Sequence, residues 1–208
     1  MRKINIRPIE ERDKGNYLRL FQNEDFGCIG INSDLKPTIY EEERILSGVL
    51  NGSIISTAIL VIEENNDFIG YATISRPSKH KYHVGEFVIR KDKQRQGYGT
   101  MLMNEIKEYA ASDDASIALE CISNGTDFFK KQGFENCFSS TYIYTIKKKS
   151  SNKKKLFIDY EIIESERRKI EEEEIKTFQK FLNSAMFKEI MKLWYNKIEK
   201  EKRYKIWV

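Results

Sequence analysis

A strand, a basic turn with two glycines and a helix follow one another without interruption between residues 82 and 111. Residues 82–90 are rich in apolar and aromatic side chains, which is typical of a strand. Residues 97–111 repeat their apolar side chains at the spacing of one helical face. A strand that feeds a helix through a short turn places both in neighbouring layers of one domain, so an α/β architecture is favoured.

The turn between this strand and helix has the features of a phosphate-binding loop. The first turn of a helix carries unpaired N–H groups and a partial positive charge. Gly97 and Gly99 lack a Cβ, so a phosphate can approach the backbone, and Arg95 adds a cation. No Gly-Lys-Ser/Thr follows, and Met103 occupies the place of a third glycine, so neither a Walker loop nor a dinucleotide fingerprint is present. The turn suits a pyrophosphate, and a helix start without a ligand is the alternative.

Short strand and helix patterns fill the rest of the chain up to residue 146. Strands are predicted at residues 4–7, 57–63, 68–75, 117–121 and 138–146, and helices at 13–21, 38–50 and 124–132. Thr38 is a candidate N-cap because Glu41 follows three residues later. Asn65-Asn66-Asp67 is typical of a hairpin turn.

Residues 150–208 differ from the rest of the chain. They hold 15 basic and 11 acidic residues, whereas residues 1–149 hold 21 of each, so the net charge of +4 originates here. Residues 147–155 predict a basic linker or solvated connection. Residues 161–182 and 185–202 predict two amphipathic helices. We therefore expect one domain over residues 1–149 and a charged two-helix extension over residues 150–208.

Composition excludes several classes of protein. No run of about 18 apolar residues occurs, so no membrane span is predicted, and no apolar stretch follows the N-terminus, so no signal peptide is predicted. Cys28, Cys121 and Cys137 have no paired spacing, which weighs against a zinc site or a disulfide framework. A reducing, cytoplasmic compartment is the expectation. The basic excess is too small to predict nucleic-acid binding.

Two blocks of sequence resemble a known family. Gln94-Arg95-Gln96-Gly97-Tyr98-Gly99 resembles the Gln/Arg-x-x-Gly-x-Gly/Ala signature by which the GNAT superfamily of N-acetyltransferases binds the pyrophosphate of acetyl-CoA. Phe128-Phe129-Lys130-Lys131-Gln132-Gly133-Phe134 resembles the next motif of that superfamily, a short helix that closes in Gly-Phe. The local likeness is to the histone-type lysine acetyltransferases. It is motif-level between residues 86 and 134.

The resemblance implies a GNAT-like α/β fold: a mixed, mostly antiparallel sheet of six or seven strands with helices on both faces, here with a C-terminal helical extension. It also implies that acetyl-CoA is the acyl donor and that its pantetheine arm pairs with the strand backbone. Ligand entry is expected where the strands at residues 82–90 and 117–121 splay apart. The residues expected to hold acetyl-CoA are Phe87, Val88, Ile89, Gln94, Arg95, Gln96, Gly97, Tyr98, Gly99, Thr100, Asn124 and Phe129.

The acceptor amine must lose a proton before it attacks, because a lysine-like ammonium has a pKa near ~10.4. Glu86 is a candidate base because it interrupts an apolar strand. Histone-type enzymes place their catalytic Glu three residues earlier relative to the glycine, and His83 takes that position here. Three alternatives are open: Glu86 is the base after a three-residue shortening, His83 is the base, or neither acts.

A general acid is harder to assign. Many members of the superfamily protonate the leaving thiolate with a Tyr four residues before the Gly of Gly-Phe, and that position is Phe129 here. Phe129 cannot donate a proton but can pack against the coenzyme. Tyr142, Tyr144 or water are the alternatives. Cys121 is interpreted as a small buried residue rather than as a nucleophile.

We therefore expect an acyltransferase that moves an acetyl group from acetyl-CoA to a primary amine by direct attack in a ternary complex, without a metal. A backbone N–H near Ile89 is expected to polarise the carbonyl. The acceptor is a small molecule or a protein, and the C-terminal helices suit packing on the domain or on a second subunit of a homodimer. Two alternatives are a non-catalytic acyl-CoA-binding module and an interaction protein that acts through its C-terminal helices.

Overall fold

The computed structural model describes residues 3–22, 38–121, 125–146 and 154–204, with side chains described as far as residue 194. The chain divides into two compact units, Met1–Tyr160 and Glu161–Val208. Among the described residues, the longest helices are too polar to cross a membrane.

Seven strands form one sheet in the first unit. They are β1 (Ile4–Pro8), β2 (Thr57–Glu64), β3 (Asp67–Ser78), β4 (Lys81–Ile89), β5 (Ser116–Glu120), β6 (Glu135–Phe138) and β7 (Thr141–Tyr144). Their order across the sheet is β1-β2-β3-β4-β5-β7-β6. Strands β4 and β5 run parallel, and every other neighbouring pair runs antiparallel. The prediction of a mixed, mostly antiparallel sheet is confirmed.

The α-helices of the described chain are α1 (Lys14–Gln22), α2 (Ile39–Leu50), α3 (Tyr98–Ser112), α4 (Thr126–Lys131), α5 (Tyr160–Asn183) and α6 (Ala185–Tyr204). The start of α2 follows the predicted capping box. The Thr38 hydroxyl accepts the N–H of Glu41 at 3.2 Å, and the Glu41 carboxylate accepts the N–H of Thr38 at 2.7 Å. Each side chain satisfies a backbone donor that the helix leaves unpaired.

Different helices cover the two faces of the sheet. On one face, a buried cluster that includes Tyr17, Leu46 and Tyr71 joins α1 and α2 to β2 and β3. Arg76 lies five residues after Tyr71 in β3 and so points to the opposite face. There its guanidinium meets Asp113, which follows α3, at 2.9 Å. Helices therefore lie on both faces, as predicted.

The turns of the sheet were predicted unevenly. Asn65 and Asn66 join β2 to β3 with φ of 51° and 68°, as expected of residues that tolerate the left-handed region. The strand predicted at residues 138–146 is present only as β7, and β6 was not predicted; the two strands form a hairpin that turns at Ser139, with φ of 48°. All four residues of β6 are exposed, so no apolar alternation marks this edge strand in the sequence.

The C-terminal helical extension is confirmed as two helices, α5 and α6. They are separated by Ser184. The Ser184 hydroxyl donates to the carbonyl of Phe181 at 2.6 Å and accepts the N–H of Phe187 at 3.1 Å. Ser184 is thus the N-cap of α6. Of the predicted linker, residues 147–153 lie outside the described residues.

Candidate active site

The loop between β4 and α3 ends in a helix start without a side-chain cap. Gly97 is the N-cap of α3 and has a φ of 90°, and among the described residues no side chain caps this helix and no acidic residue lies in its first turn. A left-handed φ is costly for any residue with a Cβ, which explains the glycine. The nearest atom to a Cβ built on Gly97 would be a methyl carbon of Met101, at 4.0 Å. The first-turn N–H groups are therefore open to an anion.

Two side chains of this loop anchor its backbone, and a third carries a positive charge. The Nε2 atoms of Gln94 and Gln96 each donate to a backbone carbonyl at 2.9 Å, those of Ile89 and Asp92. These bonds fix the loop against the end of β4. Arg95 has a φ of 61° and an exposed side chain. Arg95 is therefore positioned on the loop surface, where its charge can add to that of the helix start.

Aromatic rings join the start of α3 to β4 and α4. The ring centroid of Phe87 lies 5.7 Å from that of Phe128 and 6.0 Å from that of Phe129. A Cβ on Gly99 would lie 3.5 Å from the Phe128 ring and 3.6 Å from the Phe87 ring, which is ordinary contact. Phe129 is fully enclosed, whereas Phe128 is half-buried. The enclosure of Phe129 favours a packing role, and its predicted coenzyme contact stays a prediction.

The other predicted coenzyme residues are placed as follows. The Tyr98 side chain is buried, so Tyr98 can offer only its backbone at the loop surface. Thr100 is exposed, and its hydroxyl accepts from Nε2 of Gln132 at 3.3 Å. Val88 packs against the cluster of α1 and α2. Asn124 lies outside the described residues.

Strands β4 and β5 pair over only half of the length of β4. Their register ends where Val84 lies opposite Leu119, so from Gly85 to Ile89 the described part of β5 gives β4 no partner. On the other side of β4, the N–H of Arg90 donates to the carbonyl of Ile69 at 2.9 Å. Because alternate residues of a strand bond to the same neighbour, the N–H groups of Phe87 and Ile89 point away from β3, into the gap.

A β-bulge sets the direction of Glu86. Ala72 pairs with Phe87 and Ile74 with Val84, so two residues of β4 oppose Thr73 alone. The N–H of Glu86 donates to the Thr73 hydroxyl at 2.7 Å. The extra residue reverses the alternation of side chains beyond it. Glu86 therefore points to the α1 and α2 face, whereas an unbroken strand would aim it at α3.

Glu86 meets a buried network that sequence reasoning missed. The Tyr71 hydroxyl donates to Glu86 at 3.0 Å. The Tyr17 hydroxyl donates to Glu42, and the rings of Tyr17 and Tyr71 lie 4.3 Å apart. Burial is the largest cause that raises the pKa of both tyrosines, and their acidic neighbours add to it, so both stay protonated as donors. Two carboxylates and two phenols thus meet on one face of the sheet.

Glu42 is the most enclosed carboxylate of this network. Its side chain lies on α2, and the residue is 3% exposed. Burial raises the pKa of Glu42, and the hydrogen bond from Tyr17 opposes this only in part. The sequence held one signal for Glu42: it precedes the buried Leu46 by four residues and so lies on the apolar face of its helix. Tyr17 and Tyr71 carry no comparable signal, because tyrosine is common in cores.

His83, the alternative base, lies on the same face of β4 as Glu86. It pairs with Ser75 of β3 and Ala118 of β5 and is half-buried. Burial lowers the pKa of His83, so the neutral imidazole is favoured. Its position before the bulge, where β4 is still paired on both sides, separates it from the open stretch of β4.

The residues considered for an acid or a nucleophile lie on β7 and at the end of β5. Tyr142 is buried, and Tyr144 is half-buried with Nζ of Lys107 4.7 Å from its ring centroid. Cys121 is buried, and its N–H donates to the carbonyl of Ser140 at 2.8 Å. In the described ranges, no three His, Cys, Asp or Glu side chains are grouped as a metal site would require.

The comparisons with known proteins agree with this geometry. Residues 56–136, which extend from the start of β2 to β6, match the family model of the acetyltransferase (GNAT) domain. No curated protein sequence matches the chain significantly.

Three solved structures illustrate the likeness of fold. The PaiA N-acetyltransferase of Thermoplasma acidophilum, solved with coenzyme A, is 18% identical, with a TM-score of 0.55 over 68% of this chain and 96% of that one. An acetyltransferase of Thermus thermophilus is 18% identical, with a TM-score of 0.55 over 69% and 97%. The glucosamine-6-phosphate N-acetyltransferase of Arabidopsis thaliana is 17% identical, with a TM-score of 0.50 over 65% and 94%. At these identities the likeness establishes the fold.

Proposed function

We propose that the protein transfers an acetyl group from acetyl-CoA to a primary amine in a ternary complex, and the match of residues 56–136 to the family model of the acetyltransferase (GNAT) domain supports this. The observation that carries this proposal is the uncapped start of α3 at Gly97, beside a stretch of β4 that the described part of β5 leaves unpaired. A helix start of this kind suits a pyrophosphate. The unpaired strand suits an arm that carries amides.

The donor is bound chiefly by main-chain groups. The N–H groups at the first turn of α3 point at the diphosphate, and Arg95 contributes a charge-assisted contact. The N–H groups of Phe87 and Ile89 point into the gap beside β5, where they can pair with pantetheine. The N–H of Ile89 is also placed to polarise the thioester carbonyl, which stabilises the oxyanion that forms during attack.

The acceptor is activated from the other face of the sheet. Glu86 accepts a proton from the ammonium of the acceptor, and the neutral nitrogen attacks the carbonyl carbon. The carbon–nitrogen bond forms as the carbon–sulfur bond breaks. The nitrogen then gives up its second proton, which reaches the leaving thiolate through water or through Tyr142 or Tyr144. Tyr71 holds the Glu86 carboxylate by its hydrogen bond of 3.0 Å. Positioning of the two reactants supplies most of the rate gain.

The direct test is a thiol-release screen with acetyl-CoA and a panel of amines: a peptide lysine, an N-terminal amine, a polyamine and an aminoglycoside. We expect turnover with at least one class. Glu86→Gln and His83→Ala then assign the base. If neither slows turnover tenfold, neither residue acts as the base.

A second candidate, a coenzyme-binding module without catalysis, is favoured by one observation. Phe129, which stands where the family resemblance expects an acid, is fully enclosed by aromatic rings and has no proton to donate. Tight binding of acetyl-CoA without thiol release for any amine class would select this candidate over the enzyme.

A further inference from the structure

Helices α5 and α6 expose large apolar side chains along much of their length. On α5, Ile170, Ile175 and Phe178 are 57%, 57% and 60% exposed. On α6, Met186, Leu193 and Trp194 are 60%, 64% and 58% exposed. Isolated exposed residues are normal on a protein surface, but a run of them on consecutive helices marks an interaction site.

The exposed residues of each helix share a face. Ile175 and Phe178 are three residues apart on α5. On α6, Met186 and Ile190 are four apart, and Trp194 follows after four more. Positions three and four apart lie above one another on a helix, so these side chains form a continuous stripe. Such a stripe requires a partner surface, because most of the stability of a helix in a protein comes from the packing of its apolar face.

Within one chain the two helices touch next to Ser184, where the ring centroids of Phe181 and Phe187 lie 5.3 Å apart, but their stripes cannot cover each other along their length. Ser184 alone separates them, whereas the loop of an antiparallel helix hairpin needs about 2–5 residues. With 24 and 20 residues, the helices are about 36 and 30 Å long. A single connecting residue does not let stripes of that length fold against each other. A tight hinge of this type favours exchange of elements between copies.

The charges of the two helices are complementary. Helix α5 has seven acidic and five basic residues, and α6 has three acidic and six basic residues. The ion pairs described within α5 involve its first half, where Glu164 and Glu166 meet basic residues three or four positions later. The acidic run at residues 171–174 is exposed and takes part in none of these pairs.

We propose that α5 and α6 form the interface of a homodimer in which α5 of each protomer packs against α6 of its partner. This arrangement buries both stripes and sets acidic α5 beside basic α6 twice, related by a two-fold axis. A half-exposed large side chain has on the order of 100 Å² of accessible surface. About ten of them therefore supply the ~800 Å² that each partner buries in a stable interface. The proposal does not depend on the catalytic one.

The first test is the mass of the full chain in solution by light scattering. A dimer, twice the 24.6 kDa of the chain, is expected in the micromolar range. Leu193→Asp and Phe178→Asp should each give a monomer. Phe138→Asp is the matched control, because Phe138 is 79% exposed on β6, and this variant should stay dimeric. A monomeric wild type, or a dimer that survives both interface changes, overturns the proposal.

Discussion

The two faces of the sheet carry two halves of the candidate site that are built differently. The donor half, on the side of α3, consists of residues 94–100 with Phe87 and Phe128, and offers mainly backbone N–H groups. The acceptor half, on the side of α1 and α2, consists of Tyr17, Glu42, Tyr71 and Glu86, and offers only side chains. One half depends on local backbone conformation. The other depends on four elements from distant parts of the chain.

The two halves should respond differently to substitution. A change of backbone conformation at the donor half removes binding, because no side chain there can replace a lost N–H group. A change of one side chain in the acceptor half leaves the backbone intact and alters the protonation or position of a neighbour. Coenzyme affinity therefore reports on the donor half, whereas turnover and the pH dependence of stability report on the acceptor half.

Gly97→Glu should have the largest effect. The substitution places a side chain where φ is 90° and sets a carboxylate beside the anion site. We expect coenzyme A to bind about 10³-fold more weakly, which corresponds to about 4 kcal/mol. Isothermal titration with coenzyme A measures this. Gly15→Glu is the control, because a Cβ at Gly15 meets nothing within 4 Å and the same charge is added on α1. Equal affinity of the two variants would break the assignment of the donor half.

Glu86→Gln should separate the halves most clearly. Removal of a general base slows turnover by about 10²-fold, whereas affinity for coenzyme A should stay within a factor of about two because the backbone of β4 is unchanged. Single-turnover kinetics with the best amine of the screen measures the first, and titration the second. A parallel loss of affinity would mean that Glu86 acts on the donor and not on the acceptor.

Tyr71→Phe tests whether the network positions Glu86. The hydroxyl stabilises the carboxylate form of Glu86, so its loss should move the acidic limb of the pH–rate profile to higher pH and slow turnover about tenfold on that limb. Tyr82→Phe is the control. Its buried hydroxyl donates to Asp113 at 2.6 Å on the opposite face, so it should lower the melting temperature similarly without moving the profile.

The contrast between the halves also explains what the sequence could predict. The donor half was accessible because Gly97, its neighbours and the following helix lie within one short segment. The mixed, mostly antiparallel sheet and both helix layers followed from the resemblance, and the capping box at Thr38 from its own spacing. The acceptor half was accessible only at Glu86. Its partners Tyr17, Glu42 and Tyr71 meet through tertiary packing, which no local pattern records.

The bulge in β4 shows the physical limit most directly. Strict alternation places Glu86 on the same face as Tyr82 and Val84, toward α3. The additional residue opposite Thr73 reverses this and brings Glu86 to Tyr71. Since a shift of one residue exchanges the faces of a strand, the direction of Glu86 was undetermined until the register was known.

Glu42→Gln should have the smallest effect, and it concerns stability. Burial raises the folded-state pKa of Glu42 above the unfolded value, so its stabilising contribution is complete below that value and is lost as pH rises through the folded pKa. The amide accepts the Tyr17 hydroxyl without a buried charge. We therefore expect the melting temperature at neutral pH to rise by roughly 2–4 °C.

The neighbouring Glu41→Gln is the matched comparison because its pH dependence has the opposite sign. Hydrogen bonds from the backbone and side chain of Thr38 lower the pKa of Glu41. Its contribution is therefore present above the unfolded value and is lost as pH falls through the folded pKa. Melting curves between about pH 4 and pH 8 should show Glu42→Gln diverging upward from wild type as pH rises, and Glu41→Gln diverging downward. Parallel curves for the two variants would show that Glu42 is not a buried carboxylate. Glu42 could then not be assigned to the acceptor half.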